Sequence, residues 1–201
     1  MKTMKLLFDL GGILVPLKGM SDFEKWTGKK RSEILSIWLE SESARELERG
    51  RLSFDLFHGR FVEEFRVDLS VTELREAFRS WVRCVNPGAL DLLAQLHRRH
   101  SISCLTNTNS VQWPIVKETL QVDVFFDHQF VSHELGMVKP DPNIFQYCIA
   151  TLDVNPDHIL FVDDSFENVA AAKELGINSH QADSVESLWN VLIENGIHTR
   201  L

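Results

Sequence analysis

The chain has 201 residues, of which 44% are hydrophobic and 25% charged, so it is long enough to bury one substantial core and a smaller second one. A formal net charge of −8 argues against nucleic-acid binding through a broad basic surface. No apolar stretch reaches the roughly 18 residues of a membrane-spanning helix, and the N-terminal apolar run meets Asp9 too early for a signal peptide. We therefore expect a cytoplasmic protein that acts on a small molecule and binds neither nucleic acid nor membrane. Its oligomeric state is left open.

Short apolar runs predict the strands of the protein. They fall at residues 6–8, 102–105, 124–131, 159–162 and, more weakly, 177–180. Helical periodicity precedes two of them, at residues 90–97 and 144–152. Strands that alternate with helices are typical of a parallel sheet, so the sequence predicts an α/β fold with a Rossmann-like, doubly wound core.

Residues 20–83 interrupt this alternation. They are rich in Glu, Arg, Trp and Phe, repeat their apolar residues at helical spacing, and contain no convincing strand. The turn signal Asn86-Pro87-Gly88 then returns the chain to the sheet. We therefore divide the chain into a core domain, residues 1–15 and 86–201, and an inserted helical subdomain, residues 16–85.

Polar side chains follow four of the predicted strands, where doubly wound sheets bind their ligands. They are Asp9 after the first strand, Thr106 and Asn107 after the second, Lys139 after the third, and Asp163 and Asp164 after the fourth. Adjacent carboxylates repel one another unless a cation intervenes, so the acidic pair and Asp9 predict a hard, oxygen-ligated ion, for which Mg²⁺ fits best. A phosphate on that ion would be bound by Lys139 and Thr106.

The segments that carry these residues resemble a known family. "FDLGG", "LTNTN", "GMVKPDP" and "FVDDSFENV" occur in the order typical of the haloacid dehalogenase superfamily of hydrolases, and the likeness covers nearly the whole chain. Within that superfamily they look most like the branch that contains a bacterial α-glucose-1-phosphate phosphatase. The resemblance implies a Rossmann-like core with a helical cap inserted after the first strand.

The resemblance also implies roles for individual residues. Asp9 would be the nucleophile and Lys139 and Thr106 would complete the catalytic group, while Thr106, Asn107, Lys139 and Gly11 would contact the phosphoryl group. The ligands of Mg²⁺ would be Asp9, the backbone carbonyl of Gly11, Asp163 and Asp164. The implied activity is hydrolysis of a small phosphorylated metabolite, such as a sugar phosphate, through an aspartyl-phosphate.

One departure from the family pattern concerns the proton donor. Phosphatases of this family usually carry a second aspartate two residues after the nucleophile, but that position is Gly11 here, as it is in the branch that the chain resembles. The favoured interpretation is a phosphatase whose leaving group is good or whose acid comes from the cap. Glu48 is a candidate for that acid, although a solvent-exposed pair at a helix end is the simpler interpretation of Glu48-Arg49.

Two other functions fit the same residues. A dehalogenase would attack carbon with Asp9 and would need neither a proton donor at residue 11 nor Mg²⁺, and a non-catalytic protein could keep the pocket for binding. His133 could relay protons, but a surface pair with Glu134 is favoured. Three tryptophans either form the core of the cap or line a wall on which a sugar stacks, namely Trp26, Trp38 and Trp81.

Overall fold

The structure is a computed structural model that describes residues 4–16 and 18–199. Within these residues five strands form one parallel sheet in the order β3-β2-β1-β4-β5. The strands are β1 (Lys5–Phe8), β2 (Ile102–Thr106), β3 (His128–Val131), β4 (Ile159–Asp163) and β5 (Asn178–Gln181). The strand order reverses direction at β1, so the C-terminal ends of β1 and β4 border the crevice at which such sheets bind ligands.

Of the six described helices between β1 and β2, we call the first five the helical cap. They are α1 (Met20–Thr27), α2 (Arg31–Glu40), α3 (Glu42–Glu48), α4 (Phe54–Phe65) and α5 (Val71–Trp81). Phenylalanines at every fourth position make one face of α4 apolar, and Phe57, Phe61 and Phe65 are fully buried. They belong to an aromatic cluster of the cap that also takes in Val111 from the segment after β2. The boundaries at residues 15/16 and 85/86 stay predictions.

The helices that follow cover the sheet. They are α6 (Ala89–His97), α7 (Trp113–Ile115, continued by a π-helical turn Val116–Leu120), α8 (Ser132–Leu135), α9 (Pro142–Leu152), α10 (Phe166–Glu174) and α11 (Val185–Glu194). Side chains alternate across β1, so Leu6 and Phe8 pack in the layer formed with α6 and α11, whereas Leu7 packs in the layer formed with α9 and α10. The core is therefore a three-layer α/β/α arrangement, as the sequence predicts.

The third strand is shorter than predicted. The prediction of a strand over residues 124–131 is wrong in its first half, because Asp123–Phe125 forms a 3₁₀ turn and pairing with β2 begins only with the Asp127 N–H, which donates to Ile102 O at 2.8 Å. The apolar residue Phe126 in this run is explained by its burial against the core and not by a place in a strand. Burial alone does not distinguish a buried turn from a strand.

No helix in the described part of the chain is long and apolar enough to cross a membrane. Cys104 and Cys148 are buried in the core, Cys84 is partly buried, and all three are free thiols.

Candidate active site

Asp9 stands directly after β1 at the crevice. Its backbone N–H donates to Val162 O at 2.9 Å and so extends the β1–β4 ladder by one step beyond the Phe8–Val162 pair. Its side chain is only slightly exposed, and burial raises the pKa of its carboxyl to about 7 against the opposing charge of Lys139. The carboxylate therefore needs positive charge nearby in order to stay ionised.

Lys139 supplies part of that charge. Its Nζ donates to Asp9 Oδ1 at 2.8 Å, to Asp163 Oδ2 at 2.5 Å and to the backbone carbonyl of Leu105 at 2.8 Å. The ammonium is almost completely buried, which by itself disfavours the charged form, but Asp163 and Asp9 hold the pKa of Lys139 above its ordinary value. All three hydrogen bonds of the ammonium are satisfied, so its position is fixed.

Asn107 holds the backbone of Lys139. Its Oδ1 accepts from Lys139 N–H at 2.9 Å and its Nδ2 donates to Lys139 O at 3.0 Å, and this carbonyl belongs to a cis Lys139–Pro140 peptide bond. Asn107 also lines the cavity that contains Asp9. The side-chain amide is thus engaged with the neighbouring loop, and a direct contact between Asn107 and a phosphoryl group stays a prediction.

Asp163 and Asp164 have different surroundings. Asp163 is fully buried, and its Oδ1 accepts from Ser165 N–H and from Asn168 Nδ2, both at 2.9 Å, while its Oδ2 accepts from Lys139. Asp164 is partly exposed, and among the described residues only its own backbone N–H donates a hydrogen bond to its carboxylate. Burial, together with the charge of Asp163, raises the pKa of Asp164. Asp164 is therefore the carboxylate of the pair that is free to bind a ligand.

The acidic residues fit the predicted metal. One oxygen from each of Asp9, Asp163 and Asp164 lies within 4.8 Å of the others, and Gly12 leaves the space that the Asp164 carboxylate fills. Lys139 offsets one of three negative charges, and carboxylate oxygens are the ligands that Mg²⁺ prefers. The Gly11 carbonyl, which the sequence also predicts as a ligand, accepts one hydrogen bond from Ile13 N–H at 2.7 Å and retains a second lone pair.

Hydrogen bonds join the loop after β2 to the residue that follows β3. Thr108 N–H donates to Ser132 Oγ at 2.9 Å, and the same hydroxyl donates to Thr108 O at 3.0 Å. Thr106, the last residue of β2, is buried and lines the cavity with Asp9. Sequence reasoning missed Ser132 and Asn168. Neither is a charged residue directly after a strand, which is the signal that marks the charged residues of the site.

A cavity of about 360 Å³ extends from Asp9 to the helical cap. Most of its wall is apolar, and the cap contributes aromatic residues to it, among them Trp38 and Trp81. Trp81 turns its polar atom away from the wall, because its Nε1 donates to Asp22 Oδ2 at 2.7 Å. Of the three tryptophans considered from sequence, Trp26 does not line the cavity but packs against Phe23 and Phe61 in the cap.

Glu48, the last residue of α3, lines the same cavity. The expectation of an ion pair with Arg49 is wrong, because Arg49 bonds to Glu46 Oε1 at 3.2 Å instead. Among the described residues no hydrogen bond or ion pair reaches the Glu48 carboxylate. Its side chain is partly exposed, and desolvation at the cavity wall raises the pKa of Glu48 to about 7. His133, by contrast, does not line the cavity, and burial lowers the pKa of its imidazole.

The chain belongs to the haloacid dehalogenase-like hydrolase family, whose model matches residues 6–176. It is accordingly a hydrolase. It is 28% identical to a D-ribitol-5-phosphate phosphatase of Bacteroides thetaiotaomicron over 89% of this chain and 91% of the relative, and 27% identical to the sesquiterpene phosphatase astK of Aspergillus oryzae over 89% and 90%.

Solved structures agree with this assignment. A family enzyme of Bacteroides thetaiotaomicron, in complex with magnesium and inorganic phosphate, is 26% identical, with a TM-score of 0.72 over 90% of this chain and 94% of the other. A dehalogenase of 19% identity and TM-score 0.70, over 94% to 96% of the two chains, is similar in fold alone.

Proposed function

We propose that the protein is a Mg²⁺-dependent phosphatase that hydrolyses a small phosphorylated metabolite through an aspartyl-phosphate. The observation that carries the proposal is the buried cluster of Asp9, Asp163, Asp164 and Lys139 at the C-terminal ends of the central strands. Phosphatases among the relatives and a similar structure that contains magnesium and phosphate support it.

Asp9 is suited to be the nucleophile. Lys139 bonds to its Oδ1, so Oδ2 is the oxygen that attacks phosphorus, and the P–O bond to the leaving group breaks as the new one forms. Lys139, Thr106 and the loop that follows Thr106 stabilise the charge on the phosphoryl oxygens. A water molecule then hydrolyses the aspartyl-phosphate and regenerates Asp9.

The metal would be held by Asp9, Asp164 and the Gly11 carbonyl. The oxygens of Asp163 already accept from Lys139, Ser165 and Asn168. Asp163 would therefore position Lys139 and add negative charge near the metal site. Bound Mg²⁺ offsets the repulsion between the Asp9 carboxylate and a dianionic phosphate.

The cavity defines the leaving groups that the substrate can carry. Its volume of about 360 Å³ suits a small organic group, and its largely apolar wall favours a group with an apolar face. The polar side chains Asn109 and Gln112 at this wall bond to each other at 2.9 Å, and Gln112 also donates to Phe78 O at 3.3 Å, so they are already paired. A sugar ring that stacks on an aromatic side chain and the phosphate of an apolar alcohol both meet these conditions.

A dehalogenase would need Asp9 and a cavity but no metal, and it would leave the carboxylate of Asp164 without a role. The test is release of inorganic phosphate from a panel of sugar, polyol and isoprenoid phosphates, with Mg²⁺ or with EDTA, by wild type and Asp9→Asn. We expect release that requires both Mg²⁺ and Asp9. Folded wild-type protein that releases no phosphate from any member of the panel, or release that survives in Asp9→Asn, would overturn the proposal.

A further inference from the structure

The reaction needs a proton for the leaving oxygen, and residue 11 has no side chain to supply it. The described residues that line the cavity include six with ionisable side chains: Asp9, Lys18, Arg31, Glu48, Lys139 and Asp164. Asp9, Lys139 and Asp164 form the phosphate and metal cluster, while Lys18 and Arg31 are cationic and exposed. Glu48 is thus the one carboxyl of this wall that the phosphate and metal site does not use.

The turn that follows Glu48 fixes its position over the core. Gly50, at φ +67°, packs so closely against the backbone carbonyl of His133 that a β-carbon there would collide with it. Gly50 N–H also donates to Leu47 O at 3.0 Å, which closes the turn around Glu48. Because His133 lies in α8, which follows β3 directly, this contact joins the end of α3 to the edge of the sheet at which Lys139 and Asp9 lie.

The three arginines nearest to Glu48 in sequence are engaged elsewhere. Arg51 lies 3.7 Å from Glu46 Oε1. Arg49 bonds to Glu46, and Arg45 donates to Leu39 O at 2.5 Å and lies 3.8 Å from Glu42. Glu48 is therefore left with an unpaired carboxyl at the wall of the cavity that contains the nucleophile. Glu48 is partly exposed, and the partial loss of water around an unpaired carboxyl favours its neutral form.

We propose that Glu48 is the general acid and base of the reaction, replacing from the cap the carboxyl that is missing at residue 11. This inference rests on the proposed phosphatase function. In the first step Asp9 Oδ2 bonds to phosphorus, the electron pair of the breaking P–O bond goes to the leaving oxygen, and the Glu48 carboxyl gives that oxygen its proton. In the second step the Glu48 carboxylate takes a proton from the water that attacks the aspartyl-phosphate, which releases phosphate and restores Asp9.

The protonation of Glu48 suits both steps. Burial raises its pKa to about 7, so both forms are populated near neutrality. The charges that act on it from a distance include Lys139, Arg49 and Arg45, which lower this pKa, and Asp9, which raises it. An acid with a pKa near the working pH can donate in one step and accept in the next.

The test compares two leaving groups of similar shape. Phenyl phosphate needs protonation of its leaving oxygen, whereas p-nitrophenyl phosphate has a leaving group stable enough to depart as an anion. Glu48→Gln keeps the shape and removes the transferable proton. We expect it to lower kcat/KM, which reports the first step, by about 100-fold or more for phenyl phosphate and to leave kcat/KM for p-nitrophenyl phosphate close to wild type. The second step is common to both substrates, so kcat should fall for both.

Glu42→Gln, at the exposed start of the same helix, is the matched control and should leave both rates unchanged. The pH profile of kcat/KM for phenyl phosphate adds a second readout, because kcat/KM reports the ionisations of the free enzyme. Wild type should lose activity as the pH rises above about 7, and Glu48→Gln should lack this basic limb.

The possible outcomes separate this inference from the proposed function. An equal loss of kcat/KM on both substrates in folded Glu48→Gln would assign Glu48 to binding or structure, and an unchanged kcat/KM and kcat for both would exclude it from proton transfer. Either result would overturn the inference and leave the phosphatase function intact. Wild type that releases no phosphate from any substrate would overturn both.

Discussion

A β-carbon on Gly12 would occupy the space of the Asp164 carboxylate. The backbone of Gly12 is also left-handed, at φ +70°, a conformation that glycine adopts at little cost. The chain after Asp9 thus turns at Gly12, and the Asp164 carboxylate occupies the space that a side chain at Gly12 would fill.

Gly12→Ala should therefore displace Asp164 and weaken Mg²⁺ binding. The left-handed backbone adds a stability cost of about 1 kcal/mol, which has to be separated from the effect on the metal site. Gly28→Ala is the control, since Gly28 has a similar φ of +64° but nothing within 4 Å of its β-carbon position. Calorimetric Mg²⁺ titration should give a weaker affinity for Gly12→Ala alone. Equal affinities in the two variants would contradict this role of Gly12.

Much of this site follows from the sequence. Asp9, Lys139 and the Asp163-Asp164 pair come together because parallel strands carry their C-terminal residues to one edge of the sheet, and the register that places Phe8 beside Val162 puts Asp9 next to Asp163. A charged residue after a buried strand is a signal that can be seen without coordinates. The fold class is predicted correctly for the same reason.

The contacts that position these residues are not visible in the sequence. Asn107 and Lys139 are 32 residues apart and meet only because two loops close on each other, and the Thr108–Ser132 pair has the same origin. The aromatic residues of the cap show one helical pattern whether they fill the core or face the cavity, so Trp26 and Trp38 could not be told apart. Packing between elements decides these details.

Asn107→Ala tests whether the loop contact positions Lys139. The variant loses both hydrogen bonds to the Lys139 backbone, so the loop should shift and kcat should fall by about 10- to 100-fold, as expected when a charged group is displaced by a fraction of an ångström to 1 Å. The free energy of unfolding should fall by about 1–3 kcal/mol. Chemical denaturation and steady-state kinetics measure the two effects.

Asn178→Ala serves as the comparison, because it removes the 2.8 Å bond to Asn195 Oδ1 from a partly buried asparagine of β5. It should cost stability and leave kcat unchanged. A wild-type kcat in Asn107→Ala would show that Lys139 does not depend on this loop contact.

The raised pKa of Glu48 also predicts how stability depends on pH, whatever the substrate is. In the unfolded chain this carboxyl loses its proton near 4.5, whereas in the folded protein it keeps the proton until about 7. Between these values the folded state binds more protons than the unfolded state, so raising the pH destabilises the fold through Glu48. Glu48→Gln lacks this contribution. In metal-free protein its melting temperature should therefore rise relative to wild type as the pH goes from 4.5 to 7.5, and the difference should level off above that.

Asp9 titrates in the same range, so the comparison has to be made between variants and not on wild type alone. The difference between Glu48→Gln and wild type cancels the part of the Asp9 titration that does not depend on Glu48, and the part that does depend on it comes from the same folded-state interaction of the two carboxyls. Glu42→Gln, whose carboxyl is exposed, should follow wild type at every pH. A constant offset between Glu48→Gln and wild type across the range would mean that the Glu48 carboxyl titrates alike in the folded and unfolded states. That result would remove the pKa argument for its role in proton transfer and leave only its place at the cavity wall.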